Sequence, residues 1–373
     1  MKQATDVVIV GAGVIGCSIA YALCKQGLEI VILDDGEVGA QASQAASGML
    51  APLKPFAKAD DPYTMLLLSS LSLFPDLIAE LEEESDICIG YKCTGTLRAM
   101  RREHLPRLRT WVSQWQQAGY HVALLADDEI RLHEPGMASH VSLALYYPYD
   151  VQLNALELVH AYARAAEKRG AVFFTHEPVV ALTYSHAHVT GVRTAQGKTI
   201  ACKYVVLATG AWAAQSASWL NMTLPVYPLR GQSIALKQPA SPVQHMLFGE
   251  GIYLAPKSDG TVISGVARDE VGFDVQTTPE GIAWLYERAT KLVPALSACA
   301  IDRAWAGLLP RTPDARPILG FASPWENIIL ACGYNGYGLL LSAITGPIIA
   351  EQIRTGRVPE SLRPFSSERF AHL

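Results

Sequence analysis

Two glycine-rich runs carry the most readable chemistry in this sequence. The first is Gly11-Ala12-Gly13-Val14-Ile15-Gly16. Gly11 permits a tight turn, Gly13 lets a pyrophosphate reach bare backbone, and Gly16 lets a helix pack closely on a strand. Asp34 follows about twenty residues later, where a carboxylate accepts a ribose hydroxyl. The second run, Gly333-Tyr334-Asn335-Gly336-Tyr337-Gly338, opens the last apolar helix. Its backbone N–H groups and the positive end of the helix dipole suit negative charge growing on a bound redox ring. The two runs therefore fit opposite ends of one extended dinucleotide. A third turn, Thr209-Gly210-Ala211-Trp212, has the small residues of the second half of such a site.

Regular elements must hold these turns. Thr5-Asp6-Val7-Val8-Ile9-Val10 is a β-branched apolar run, the pattern of a buried parallel strand, and residues 17–25 follow with helical spacing. A second apolar run, residues 30–33, ends at Asp34. The small-residue segment 39–48, before Met49-Leu50-Ala51-Pro52, lets backbone lie against a flat or bulky group. Helices are expected over 62–84 and 101–119, with one strand over 91–100 between them. Arg101, Arg102, Arg107 and Arg109 read as a solvated helix face, and Trp111 and Trp115 as core or a subunit interface. Asn154 caps a helix that runs to Lys168 and stops at Gly170. Short strands at 172–174, 179–184, 189–194 and 199–200 form a meander, and Tyr204-Val205-Val206-Leu207-Ala208 is another buried strand. Residues 225–264 are strand-rich, a helix covers 279–293, and strand 328–331 leads through the second glycine run into a closing helix over 339–354.

Bulk composition narrows the function. The 373 residues suit two domains or one interleaved unit with a large core. Half are hydrophobic and 17% charged, the composition of a well-packed globular chain. A net charge of -5 argues against nucleic acid as a main partner, since phosphate neutralisation needs a basic surface. The seven cysteines show no Cys-x-x-Cys pair and read as reduced thiols in the cytoplasm. Met1-Lys2-Gln3-Ala4 leads directly into the first strand, so no signal peptide is expected. Residues 328–350 carry no charge, but Gly333, Gly336, Gly338, Gly346 and Pro347 interrupt the ~20 continuous apolar residues of a spanning helix, so no membrane span is expected. There is no Gly-x-Ser-x-Gly nucleophile, no metal-ligand spacing and no Walker-type loop.

The chain resembles the flavin-dependent amine and amino-acid oxidases related to D-amino-acid oxidase, and within them the glycine oxidase branch linked to thiamine biosynthesis. The resemblance rests on residues 8–16, Ala45-Ala46-Ser47-Gly48-Met49-Leu50, Ala208-Thr209-Gly210-Ala211-Trp212 and Pro228-Leu229-Arg230-Gly231-Gln232. It continues through residues 265–274, Trp305-Ala306-Gly307-Leu308, Thr312-Pro313-Asp314 and residues 333–338. It implies an α/β fold: a Rossmann-like FAD-binding domain of the GR2/DAO type built from residues 1–52, 142–224 and 300–373, plus an α+β substrate domain with an antiparallel sheet from 53–141 and 225–299. FAD would be held without a covalent link, because the cysteine that tethers flavin in the sarcosine oxidase branch is missing from residues 305–311. Cofactor contacts are implied at Gly11, Gly13, Val14, Ile15 and Gly16, at Asp34 and Asp35, and at Ser43, Gln44, Ala46, Ser47, Gly48 and Met49. Further contacts fall at Val179, at Thr209, Gly210 and Trp212, and at Gly333, Asn335, Gly336, Tyr337, Gly338 and Leu339.

The substrate site departs from the family pattern. Two family arginines fall at Leu309 and Gly336 and a histidine at Gly251, while Tyr253 is retained. Arg268 takes a position that is usually apolar, where a guanidinium can fork to a carboxylate from the opposite wall. Arg311 is a second cation on the same strand as Leu309; Tyr334 and Met49 complete the expected substrate contacts. In the alternative, Arg268 pairs with Asp269 or Glu270, Arg311 with Asp314, and Arg230 serves either the flavin pyrimidine edge or a strand turn. The resemblance implies hydride transfer from an amine or small amino acid to flavin N5, imine hydrolysis, and dioxygen reduced to hydrogen peroxide. No acid–base residue is required; His133 and His245 are read as surface residues. A dehydrogenase for a D-amino acid or secondary amine with another acceptor, and a non-catalytic flavoprotein subunit, are the alternatives. A homo-oligomer is compatible with all three.

Overall fold

A computed structural model describes residues 4–237 and 242–371. Its strands are numbered β1 to β19 along the chain. Three sheets organise it. The first contains β1 (Ala4–Val10), β2 (Ile30–Leu33), β9 (Val172–Phe174), β10 (Val179–Ser185), β11 (His188–Thr194), β12 (Thr199–Leu207), β18 (Ile318–Phe321) and β19 (Ile328–Cys332). Strands β9, β2, β1, β12 and β19 pair in parallel, while β10 and β11 form the antiparallel meander on β12. All the parallel strands therefore end at one edge, where an α/β sheet presents its binding crevice. The continuous apolar runs follow from burial on both faces. Val7, Ile9, Ile30, Ile32, Val206 and Ile329 pack beneath helices α1 (Val14–Lys25), α6 (Ala155–Lys168) and α9 (Gly338–Thr355). Val8, Val10, Val31, Leu33, Val205 and Leu330 fill the opposite side.

The second sheet has the order β17-β13-β16-β15-β14-β5-β7-β6. Its strands are β5 (Thr96–Ala99), β6 (Ala123–Ala126), β7 (Leu143–Tyr147), β13 (Tyr227–Lys237), β14 (Met246–Gly249), β15 (Ile252–Pro256), β16 (Thr261–Asp269) and β17 (Ala300–Arg311). All pairs are antiparallel except β5 with β14. Ile234, Leu236, Leu247, Leu254 and Val262 turn one face toward helix α8 (Pro279–Leu292). The residues between them face the nucleotide-binding half. A small third sheet joins β3 (Met49–Leu50), β8 (Val151–Gln152) and β4 (Lys92–Cys93).

Several expected boundaries move. The strand expected over 91–100 is split at Gly95, whose φ of +67° breaks extension and sends β4 and β5 to different sheets. Residues 300–311, expected with the flavin unit, are β17 of the second sheet, and so are residues 143–147 of β7. Helix α3 (Pro62–Ser85), expected with the substrate unit, buries Leu66, Leu67, Phe74, Ile78 and Leu81 in the core shared with α1 and α9. It is the one described helix long and apolar enough to cross a membrane. The helix expected over 101–119 is a turn of 3-10 helix followed by α4 (Leu105–Gln117), where Trp111 and Trp115 are core, both donating Nε1–H to Ala57 O. Asn154 occupies the N-cap position of α6, but its side chain accepts no capping hydrogen bond. Residues 328–350 are β19, a turn and the buried start of α9.

Candidate functional site

The turns after β1, β2, β12 and β19 meet at the common edge. A β-carbon at Gly16 would lie 1.9 Å from Gly11 O, so only glycine lets α1 start this close to the strand. Ser43 Oγ, from the short helix α2 (Ala42–Ala45), accepts the Val14 N–H at 3.0 Å. Ile15 follows in the first turn of α1. Asp34 accepts from Ala12 N at 2.6 Å and Gly36 N at 2.9 Å, tying the ends of β1 and β2 together. Burial raises its carboxyl above the usual range against those two donors. Asp35 is exposed beside it. Val179 begins β10 as a buried residue of the sheet core, and Glu177 N nearby donates to Asp34 O at 2.8 Å. Gln44 N donates to Gly39 O, and Ser47 and Gly48 are buried where the segment turns toward Met49. Thr209 bonds Ser216 at 2.9 Å, behind Gly210, and the Trp212 ring stacks on Phe273 with centres 5.5 Å apart.

The second glycine run closes the same edge. A β-carbon at Gly338, the first residue of α9, would lie 3.9 Å from Val14 Cγ1, so the two glycine runs are neighbours. Asn335, at φ +54°, donates Nδ2–H to Gly333 O at 2.9 Å and receives the Thr312 N–H at 3.4 Å, which pins the loop to the end of β17. The Tyr337 ring lies under Lys54 Nζ at 4.9 Å, and Leu339 is buried behind it. Tyr334, expected at the substrate, is instead 3% exposed with its hydroxyl donated to Thr345 Oγ1 at 3.3 Å. Its phenol belongs to the core under α9 because residue 334 points inward from β19. The edge thus offers two helix N-termini, a bare-backbone cradle and a carboxylate, the complement of an extended flavin dinucleotide. Gly11, Gly13 and Asp34 would hold its nucleotide end, and Gly336 and Gly338 its redox ring.

Register assigns the second sheet's faces. Gly307 and Leu309 pair with Gly231 and Leu229, and Arg268 also pairs with Gly231, so these residues share one face with Arg311. That face fronts the cofactor edge: a β-carbon at Gly307 would lie 2.3 Å from Ala45 Cβ, and Trp305 donates Nε1–H to Ala45 O at 3.0 Å. Leu309 reaches Gly336, whose β-carbon would be 3.5 Å from Leu309 Cδ2. Tyr253 joins the same face, its ring lying over Gly265, its partner in β16. Arg268 is exposed and has no ion pair with Asp269 or Glu270, and Arg311 none with Asp314, which Arg369 holds at 2.8 Å. Neither has an ion pair among the described residues. Arg230 points to the opposite face, where Asp274 and Asp269 hold it at 2.7 and 3.2 Å. It is a structural residue because alternation turns 230 away from 231 and 229. His245, expected at the surface, is half-buried with Nδ1 3.1 Å from Glu134 Oε2, and His133 packs on Tyr146 with ring centres 4.4 Å apart.

Residues far apart in sequence add groups that no local pattern marks. Phe248 and Arg98 extend the face beyond Tyr253. Lys257 is a buried amine that donates to Leu153 O at 3.3 Å and would lie 3.3 Å from a β-carbon at Gly48. Burial lowers its pKa to about 8 from the usual 10.5. The folded chain thus releases a proton between pH 8 and 10.5 that the unfolded chain still holds, so this residue's penalty fades as pH rises through 8. Relative to Lys257→Met, the wild-type chain is expected to gain thermal stability between pH 7.5 and 10, measured by paired melting curves; a constant difference across that range excludes the burial effect.

Comparison with known proteins agrees with this geometry. The model of the DAO family, "FAD dependent oxidoreductase", matches residues 6–352. A glycine oxidase of Geobacillus kaustophilus is 33% identical, over 99% of this chain and 98% of its own length. The bifunctional protein ThiO/ThiG of Synechocystis sp. is 34% identical over 99% of this chain; the chain spans 55% of that relative. The crystal structure of the Geobacillus kaustophilus glycine oxidase superposes with a TM-score of 0.92 at 32% identity, covering 98% of each chain. This chain belongs to the DAO family of FAD-dependent oxidoreductases.

Proposed function

We propose that the chain is an oxidase of glycine or another small amino acid or amine, holding FAD without a covalent bond and using dioxygen as acceptor in the cytoplasm. The observation that carries this reading is that Tyr253 and Arg268, the latter with no ion pair among the described residues, stand on the one sheet face that fronts the glycine runs. FAD, when bound, supplies the two-electron acceptor for the substrate's α C–H bond. The chain supplies orientation: Arg268 forks to the carboxylate, Tyr253 offers a hydroxyl donor, and Met49 and Leu309 contribute apolar wall. Gly336 and Gly338 aim backbone N–H groups where negative charge develops. The glycine oxidase relatives, one of them fused in a ThiO/ThiG protein, support a place in thiamine biosynthesis. The seven unpaired cysteines suit a reducing compartment.

A dehydrogenase reading draws on the leucine and glycine at the positions of the two family arginines. One experiment decides. The yellow protein is mixed anaerobically with glycine, sarcosine, D-alanine and D-proline, and the flavin band followed. Bleaching, followed by re-oxidation in air with stoichiometric peroxide, is the expected result. Bleaching that air reverses only slowly selects the dehydrogenase, and an unbleached band with every amine overturns both enzymatic readings.

A further inference from the structure

The face that carries Tyr253 continues into a group of polar side chains that no established role absorbs. Arg98 in β5 stands in register with Phe248 in β14, and Phe248 with Tyr253 in β15. The Arg98 guanidinium carbon lies 3.8 Å from the centre of the Phe248 ring, whose centre is 6.2 Å from that of Tyr253. Arg98 has no carboxylate within ion-pair distance among the described residues, and its Nε is buried without a hydrogen-bond partner. Beside it lie the buried side chains of Thr96, Tyr147, Asp150 and Gln152, with the Thr96 hydroxyl toward the Asp150 carboxyl and both Tyr147 and Asp150 toward the Arg98 guanidinium. Arg98 Nε and Gln152 Oε1 have no hydrogen-bond partner among the described residues, whereas buried polar atoms in folded proteins are almost always paired. The group borders the cofactor edge, because Gln152 pairs with Met49 between β8 and β3. Burial pushes the Asp150 carboxyl up to about 7, against the pull of Thr96 and Arg98, so it only partly offsets the arginine.

Two arginines with no ion pair among the described residues therefore flank Tyr253. Arg98 is two strand spacings away, about 9.5 Å, and Arg268 is three residues along β16 from Tyr253's partner Gly265, about 10 Å. The Arg98 guanidinium lies over the Phe248 ring, and Arg268 approaches the same face from the other side of Tyr253. We propose that Arg98 receives a second acidic group of the substrate, so that the preferred amine is a dicarboxylic amino acid or an N-carboxyalkyl amino acid. This rests on the reading above, in which Arg268 and Tyr253 line the substrate site. A monoacid would leave one guanidinium without its charge-assisted partner, and a diacid engages both.

The test uses the FAD-loaded protein. Acetate, malonate and succinate are titrated while the perturbation of the flavin absorption band is read. Glycine, D-alanine, D-aspartate, D-glutamate and iminodiacetate are then mixed with it anaerobically. Malonate or succinate is expected to bind about 10-fold or more tightly than acetate, and the diacid amines to show the same preference in half-saturating concentration for reduction. Arg98→Met should erase the preference by weakening the diacids alone, and Arg98→Lys should restore part of it. Equal binding of mono- and diacids by the wild-type protein overturns the proposal, as does an Arg98→Met variant that loses acetate and malonate alike. If no amine reduces the flavin, the oxidase reading fails, and the malonate-to-acetate ratio still decides the role of Arg98.

Discussion

Replacing Gly16 with alanine is expected to give protein that leaves gel filtration colourless, with its affinity for added FAD lowered about 100-fold or more, the equivalent of roughly 2.7 kcal/mol. The added β-carbon would sit 1.9 Å from Gly11 O and 3.0 Å from Gly11 C. Those are backbone atoms of the cradle itself, so no side-chain rotation relieves the clash. The helix must retreat from β1 or the loop must open, and either displaces N–H groups that are useful only in one geometry. Ile9 Cγ2, 3.4 Å from the same added carbon, leaves no room beside it. Far-UV circular dichroism separates this from global unfolding, since the loss should be local to the loop. A yellow variant with wild-type FAD affinity would show that the cradle is not where the dinucleotide binds.

Arg268→Met should raise KM for substrates with a carboxylate by about 10- to 100-fold while leaving that of simple amines within a few-fold, since hydrogen bonds to charged groups contribute roughly 1.5–3 kcal/mol. Methionine keeps much of the aliphatic bulk and removes only the fork. Because Arg268 makes no ion pair among the described residues, its loss strands no buried carboxylate there, and the kinetic effect reports on the ligand. The effect belongs in KM and in kcat/KM for carboxylate substrates. A matched rise for amines and amino acids would remove Arg268 from carboxylate recognition and move attention to Arg311, which shares its face.

The fold of the nucleotide-binding half was legible because its signals are local. Strand, Gly11 to Gly16, helix, strand and Asp34 all lie within one short stretch, and each glycine answers a backbone requirement that sequence spacing encodes. The closing run was legible for the same reason, since a glycine loop between a buried strand and a helix leaves few geometries open. Tyr334 shows the limit. Its neighbours belong to the loop that faces the cofactor edge, but its own phenol turns to Thr345 inside the core, and a one-residue difference in direction is invisible without the backbone. Arg230 and Arg268 make the same point, since both are arginines in the family's substrate strands. Only the pairing of β13 with β16 and β17 places one against Asp274 and Asp269 and the other in the open.

By itself, then, the sequence determined the dinucleotide cradle, the parallel sheet behind it and the family. Those depend on backbone conformation and on short-range periodicity. Tertiary structure decided the substrate wall. Arg98, Phe248, Tyr253, Arg268 and Arg311 come from five strands spread across most of the chain, and what sets them on one surface is hydrogen-bond register between strands. In a sheet a shift of one residue turns every side chain to the opposite face, so which cations meet a substrate is a property of the assembled sheet and of no single segment.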